Sequence, residues 1–366
     1  MILPSYPRAQ YEHHRKAIDA AIRRVLDSDV HILGPEVEAF EEAFAAYCGT
    51  TFAVGCGNGT DAITLALMAL GIGPGDEVVT VSHTAVATIA GVERSGATPV
   101  LVDVDPITRC MNPALAAKAL TKRTKAILPV HLYGQPCDLK ALSKLDLPII
   151  EDCAQATGAQ IGPKRTGATG IMGTFSFFPT KNLGGIGDGG AVVTGDETLA
   201  TRLRALRQYG WDENRNSRMA GMNSRLDALQ AAILGAKLPH LDADNQSRRL
   251  IAARYWTELD LPGLEHPSQG DGTTPVFHLY VVRLADQATR DGLKAHLAEN
   301  GILAGLHYPV PAHRMPAYEN LPGAGDLPVT EALAGTVLTL PCYPELSPDD
   351  QDRVIASVRA FFGKRP

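Results

Sequence analysis

The chain reads as an α/β protein, with a large domain on a mostly parallel sheet flanked by helices and a smaller α+β domain at the C-terminal end. Three observations carry that reading. Short apolar runs alternate with alanine-rich helical patterns between residues 52 and 194, apolar side chains recur at helical spacing over 197–258, and strand-like and helix-like segments follow the Pro/Gly-rich stretch 262–275. With 366 residues, 45% of them hydrophobic and 20% charged, there is apolar material for one large core and a second, smaller one.

Taken in order, residues 1–30 read as an N-terminal arm, 31–250 as the large domain and 251–366 as the small one. Strands are expected at Phe52-Ala-Val, Glu77–Val81, Thr98–Val102, Ala126–Val130, Leu147–Ile150, Gly173–Phe177 and Gly190–Thr194. Each is a short apolar or β-branched run, as strands covered on both faces require. The helical segment Asp61–Leu70 follows the first of them, and Leu226, Leu229, Ile233 and Leu234 mark one apolar face within the helix-rich section that links the domains. In the small domain Val276–Arg283 reads as a strand, and Arg290–Glu299 and Asp349–Phe362 as helices. In a parallel sheet of this kind, ligands bind at the carboxyl ends of the strands.

Composition excludes several classes of function. A formal net charge of -6 argues against nucleic acid or an anionic membrane as partner, because both need a basic field. An anionic substrate must then be held by local arginines. The six cysteines, at 48, 56, 110, 137, 153 and 342, form no C-x-x-C pair, so reduced thiols, no metal site and a cytoplasmic setting are expected. No run of 18 apolar residues occurs, and the start lacks a basic segment followed by an apolar core.

Three features suggest chemistry. Lys181 follows the apolar stretch Phe175–Pro179 and precedes the glycines at 184, 185 and 187, where a backbone can approach a ligand closely. Burial there would depress the amine's pKa and supply a neutral nucleophile, although a lysine at a turn after a strand is an equal reading in isolation. Gly55-Cys-Gly-Asn-Gly-Thr60 joins a strand to a helix, so backbone N–H groups and a helix N-terminus can face a phosphate; taken alone, a plain tight turn is the simpler reading. Its order is not G-x-G-x-x-G, so a dinucleotide site fits poorly. Asp152 ends the strand before residue 153, where a buried carboxylate needs a cationic partner such as a protonated pyridine nitrogen. Alone it reads as a helix cap.

Together these motifs resemble the DegT/DnrJ/EryC1/StrS family of sugar aminotransferases, which are pyridoxal phosphate enzymes of fold type I. The matching stretches run over nearly the whole chain: Gly57–Ala62, Gly75–Val79, Thr98–Pro106, Thr124–Pro136, Glu151–Ala159, Ser176–Gly184 and Gly221–Ala232. The resemblance implies that Lys181 carries pyridoxal 5'-phosphate covalently, that Asp152 pairs with its ring nitrogen, and that Gln155 lies against its hydroxyl edge. It further implies that Gly59, Thr60 and Ser176 hold the phosphate, with Asn223 reaching it from the neighbouring subunit of a homodimer. Ala85 stands where an aromatic ring is common, so His83 is the candidate for stacking on the cofactor; a polar residue at a strand end is the equal alternative.

The stretch Gly301–Tyr318 resembles members that aminate a 3-keto-6-deoxyhexose on a nucleotide, which makes His307 and Tyr308 candidate substrate contacts, or simply a packed pair before Pro309. Arg218 and Arg225 are candidates for the diphosphate or the donor carboxylate, or else solvent-facing residues. The implied reaction moves an amino group from L-glutamate to a nucleotide-linked ketosugar, dTDP-linked and keto at C3 in the first instance, with a 4-keto substrate or a non-catalytic regulator as alternatives. A related dehydratase would carry histidine in place of Lys181, and a nicotinamide oxidoreductase would need a different glycine spacing.

Overall fold

The computed structural model describes residues 1–363; the last three residues of the expected C-terminal domain lie outside the described residues. The helices are α1 (Pro7–Leu26), α2 (Pro35–Cys48), α3 (Gly59–Ala69), α4 (Val86–Arg94), α5 (Pro113–Ala119), α6 (Leu139–Leu142), α7 (Glu197–Leu206), α8 (Ala228–Lys237), α9 (Leu241–Glu258), α10 (Gln287–Glu299), α11 (Pro328–Thr336) and α12 (Pro348–Gly363). The strands of the large unit are β1 (Phe52–Cys56), β2 (Glu77–Val81), β3 (Thr98–Val102), β4 (Thr124–Ile127), β5 (Ile150–Asp152), the short pair β6 (Gln160–Ile161) and β7 (Lys164–Arg165), β8 (Met172–Ser176) and β9 (Gly190–Thr194). Further along lie β10 (Leu264–Glu265), β11 (Thr273–Thr274), β12 (Tyr280–Leu284) and β13 (Val337–Leu340).

The expected parallel sheet forms, with one reversal. Strands β3, β2 and β4 are parallel, parallel bridges Ile127↔Ile149 and Val130↔Asp152 carry the sheet on to β5, and β5 is parallel to β8. Only β9 runs against the rest, paired antiparallel to both β8 and β1. Gly190, its first residue, pairs with both Cys56 and Ser176, so the carboxyl ends of β1 and β8 meet at one edge. A Cβ on Gly190 would stand 2.4 Å from the Asn58 carbonyl oxygen, which is why glycine occupies this crossing.

Helix α3 is apolar on nearly every side because it is buried on nearly every side. Ile63, Leu65, Ala66 and Leu67 are at most 2% exposed and join Val78, Ile150 and Val192 of the sheet in one cluster. Burying a side chain of the leucine class contributes roughly 1.5–3 kcal/mol, so this helix start is fixed firmly against the sheet edge. At its N-terminus the Asn58 side chain accepts a hydrogen bond from the Asp61 N–H (2.8 Å), an N-cap that satisfies one of the free donors.

The second unit is an antiparallel sheet, β10-β12-β13, covered by α10, α12 and the end of α9 around Tyr255, Tyr280, Leu297 and Val354. The first residues belong to it, since Ile2 bridges Ile302 and is buried in the same cluster, whereas α1 packs on α8 of the large unit through Ala21, Val25, Ala228 and Ala232. Several expected boundaries move. Residues 128–130 lie beyond β4, where Pro129 offers no N–H for a ladder, and the strand after residue 147 starts only at Ile150. The helix-rich stretch is broken between Leu206 and Ala228 by a loop closed by bridges Gln208↔Asn223 and Trp211↔Ser217. Residues 276–279 leave the strand pattern, Phe277 sits at φ 43°, and β12 begins at Tyr280.

Candidate active site

A cavity of about 600 Å³ opens at the carboxyl ends of β1, β5 and β8. Gly59, Thr60, Asp152, Gln155, Ser176, Lys181, His307 and Tyr308 all line it, so the structure brings these expected site residues together. It is walled on the other side by the small unit and by Pro4 and Ser5 of the N-terminal segment.

Lys181 sits on the turn after β8, with its backbone N–H bonded to the Phe178 carbonyl (2.8 Å). The turn is tight: a Cβ on Gly184 would come within 2.4 Å of the Pro179 carbonyl oxygen. Burial lowers the Lys181 pKa to about 8, against the opposing pull of the Asp152 charge. Burial likewise raises the Asp152 pKa, countered by hydrogen bonds from Thr88 Oγ1 (2.8 Å) and the Ala154 N–H (3.1 Å) and by the Lys181 charge. Desolvation thus pushes both groups toward their neutral forms while each favours the other's charged form.

The turn after β1 forms a cup. Gly59 and Thr60 open α3, and a Cβ on Gly59 would meet Ser176 Cβ at 2.7 Å, so the helix N-terminus and the Ser176 side chain stand as close as glycine alone permits. Backbone N–H groups at a helix start next to a hydroxyl suit a phosphate. The cup is braced from behind. Ser224 Oγ accepts from the Gly57 N–H (2.9 Å) and donates to Asp61 Oδ2 (2.7 Å), while Glu41 Oε1 accepts from the Gly55 N–H (2.7 Å) and from Arg207 Nη1.

Gln155 uses both ends of its amide. Its Oε1 accepts from the Tyr133 N–H (2.7 Å) and its Nε2 donates to Tyr308 Oη (2.8 Å). Tyr133 is buried and holds φ 60°, and its hydroxyl donates to the His307 carbonyl. Gln155 and Tyr133 therefore grip the His307–Tyr308 peptide from the large unit. Burial, then the nearby Lys181 charge, lowers the His307 pKa to about 4, and burial raises that of Tyr308 to about 12, so both are neutral at ordinary pH.

Four expected site residues lie elsewhere. His83 is buried outside the cavity lining, its Nε2 bonded to Tyr133 Oη (2.8 Å) because the chain turns away after β2; Ala85 lines the cavity instead. Arg218 is exposed and paired with Asp212 (2.7 Å). Arg225 is half-buried, and Asn223 is exposed on the loop before α8, neither lining the cavity. Conversely, Thr88, Asn58, Asp188, Arg94 and His278 line the cavity without having been singled out. Thr84 and Thr88 bond each other (2.9 Å) at the start of α4; two threonines four apart in the stretch after β2 are the sequence signal they leave.

One buried acidic cluster has a structural explanation. His131, Glu151 and Cys153 lie close enough to hold a metal, but Glu151 already bonds His131 Nε2 (2.9 Å) and the N–H groups of Gly167, Thr169 and Gly170. Burial pushes the Glu151 carboxyl up, and these bonds outweigh it, leaving the pKa below its ordinary value.

The residues at the cavity fit pyridoxal phosphate: a glycine-floored cup at a helix start, a buried carboxylate held by Thr88, and a lysine amine lining the same cavity whose pKa burial depresses. Comparisons with known proteins agree. The model of the DegT/DnrJ/EryC1/StrS aminotransferase family matches residues 12–359. A dTDP-3-amino-3,4,6-trideoxy-alpha-D-glucose transaminase from Streptomyces venezuelae is 50% identical over 360 residues, covering 97% of this chain and 94% of that protein. Among solved structures, S. venezuelae DesV in complex with a ketimine intermediate superposes with a TM-score of 0.96 at 48% identity, over 100% of this chain and 99% of that one. Bacillus subtilis NtdA with bound cofactor PMP superposes with a TM-score of 0.89 at 31% identity, over 96% and 82% of the two chains.

Proposed function

The chain belongs to the DegT/DnrJ/EryC1/StrS aminotransferase family, and we propose that it is a pyridoxal phosphate-dependent enzyme that transfers the amino group of L-glutamate to a ketosugar carried on a nucleotide, a dTDP-linked 3-keto-6-deoxyhexose in the first instance. The observation that carries this reading is the placement of Lys181, Asp152 and the Gly59–Ser176 cup around one cavity.

Pyridoxal phosphate bound there supplies an electron sink and a carrier for the amino group. Gly59, Thr60 and Ser176 would hold its phosphate, and Asp152, whose charged form Thr88 and the Ala154 N–H favour against its burial, would hold the proton on its ring nitrogen. Gln155 bounds its hydroxyl edge. Lys181 Nζ, whose burial lowers its pKa to about 8 and so favours the neutral amine, would take the proton from the donor's α-carbon and hold it for delivery to the other face of the site. In the second half of the cycle the same nitrogen moves a proton the other way, onto the sugar carbon that receives the amine. His307 and Tyr308, both neutral, wall the sugar side.

The homodimer belongs to the same proposal. Asn223 is exposed on a loop that Ser224 ties to the cup at Gly57, with Arg218 and Arg225 on the same segment, which supports its reaching the phosphate of a second copy. A cytoplasmic setting is also part of the proposal, supported by six buried cysteines that form no disulfide. Among the described residues no helix is long and apolar enough to cross a membrane.

The reading is tested by incubating the holoenzyme with L-glutamate and a panel of 3-keto and 4-keto nucleotide sugars, with mass spectrometry and NMR of the products. The expected product is a 3-amino sugar with 2-oxoglutarate. A carbonyl displaced by one ring carbon misplaces the reacting atom on the order of 1 Å, so a preference of about 100-fold in kcat/KM for the 3-keto substrate is expected. Equal turnover of the 4-keto substrate would overturn the regiochemistry, and no amine on any of the sugars would overturn the function.

A further inference from the structure

His278 lines the cavity at the start of the small unit, and a chain of buried side chains fixes which of its ring nitrogens bears the proton. The chain begins at the Thr157 backbone carbonyl, which can only accept. Asn245 Nδ2 donates to it over 3.0 Å, so the other end of that amide, Oδ1, is an acceptor. Asn182 Nδ2 donates to Asn245 Oδ1 over 2.7 Å and also lies 3.3 Å from the Val276 carbonyl, which turns Asn182 Oδ1 toward His278. That oxygen stands 3.1 Å from His278 Nδ1. An amide oxygen has no proton to give, so Nδ1 carries the hydrogen, and in the neutral ring that burial favours, Nε2 keeps a bare lone pair. Each amide orientation in the series is set by a backbone carbonyl, which removes the usual freedom to flip it.

Asn182 and Asn245 are 3% and 1% exposed, so the series is sealed from water, and His278 is 7% exposed at the cavity wall. Its Nε2 bonds no other side chain or backbone group among the described residues and is not among the buried atoms lacking a partner, which leaves it open to the cavity. A lone pair there discriminates between the ligands the cavity takes. It repels a carboxylate, of which the amino-acid donor has two, and it receives an O–H, of which a sugar has several.

We propose that His278 Nε2 accepts a hydrogen bond from a hydroxyl of the sugar acceptor, and that Asn182 and Asn245 are positioning residues that hold His278 in the tautomer able to do so. The proposal rests on the sugar aminotransferase reading and names a contact on the sugar that this reading leaves open. Loss of a hydrogen bond to a buried, otherwise unsatisfied donor costs about 10- to 100-fold in affinity or rate.

Two measurements test it. In ¹⁵N-histidine-labelled holoenzyme, with His278→Asn used to assign the signal, His278 should show a protonated Nδ1 and an unprotonated Nε2, and Asn182→Ala should make the tautomers mix. An Nε2-protonated ring in the unaltered protein would overturn the proposal without any reference to turnover. Kinetically, His278→Asn keeps a donor facing Asn182 but has nothing at the Nε2 position. It should lose about 10- to 100-fold more kcat/KM in the sugar half-reaction than in the glutamate half-reaction. His278→Gln, whose amide oxygen reaches the Nε2 position, should recover part of that loss. Equal losses in both half-reactions, with the unaltered protein turning over the sugar, would defeat the role of His278; an unaltered protein that aminates no nucleotide sugar would instead defeat the assignment of the substrate.

Discussion

Thr88 Oγ1 donates a hydrogen bond to Asp152 Oδ2 over 2.8 Å, joining the first turn of α4 to the end of β5 beneath the cavity. Thr84 and Thr88 bond each other in turn (2.9 Å), so the carboxylate is held by a short buried row of hydroxyls. The bond favours the charged form of Asp152 against a burial that raises its pKa.

Removing that donor should weaken the enzyme without removing a catalytic group. With Thr88→Val the Asp152 pKa rises further, the carboxyl spends less time ionised, and its hold on a ring-nitrogen proton weakens. A hydrogen bond to a charged group is worth about 1.5–3 kcal/mol, so kcat should fall about 10- to 100-fold, while Thr88→Ser keeps most of it. Thr88→Val with unchanged kcat would contradict the role given to the bond.

The depressed pKa of Lys181 has a consequence for stability. Its folded value, about 8, lies below the ordinary 10.5, so between those two pH values the unfolded chain binds a proton that the folded chain does not. Stability contributed by this group is therefore present above about pH 10.5 and is lost as pH falls through about 8. Buried Lys237, also near 8, contributes in the same direction, so the comparison must be with Lys181→Met. Urea unfolding of cofactor-free protein should show stability rising more steeply with pH in the unaltered chain than in Lys181→Met, by about 1–2 kcal/mol between pH 8 and 10. Parallel pH slopes would contradict the burial of a titrating amine.

Much of this site is legible in the sequence, and what is missed has physical reasons. Lys181, Asp152 and the Gly59–Thr60 turn stand out because each sits at a strand end of a parallel sheet, where local pattern and ligand geometry coincide. His278 does not, since it lies in an apolar run that reads as a strand until Phe277 takes a positive φ and turns the chain along the cavity. His83 misleads for the converse reason: its position after β2 suggests the site, but its ring is drawn to Tyr133 behind the wall. Tyr133 is invisible because its role depends on pairing with residues 155 and 307, far away in sequence.

Tyr133 is the next test of that grip. Tyr133→Phe removes the donor to the His307 carbonyl and the acceptor of His83 Nε2, loosening the His307–Tyr308 peptide while leaving Lys181 and Asp152 in place. The expected outcome is a loss of about 10-fold in kcat/KM for the sugar, with a smaller loss in the glutamate half-reaction. A larger loss with glutamate than with sugar would show that Tyr133 serves the cofactor side instead.

Sharing of the site between two copies is tested by mixing. Lys181→Ala and an impaired Asn223→Asp variant, allowed to exchange subunits, should form some hybrids in which one site carries both defects and the other carries neither. Activity should rise on mixing. Demonstrated exchange with no recovery would contradict the donation of Asn223 across the interface.

The central claim is that the Lys181–Asp152 pair is the reaction centre, and peptide mapping tests it most directly. Protein loaded with pyridoxal phosphate and reduced with borohydride should yield a single labelled peptide with the cofactor on Lys181, and Lys181→Ala should yield none. Label on a different lysine, or equal labelling of Lys181→Ala, would contradict the account.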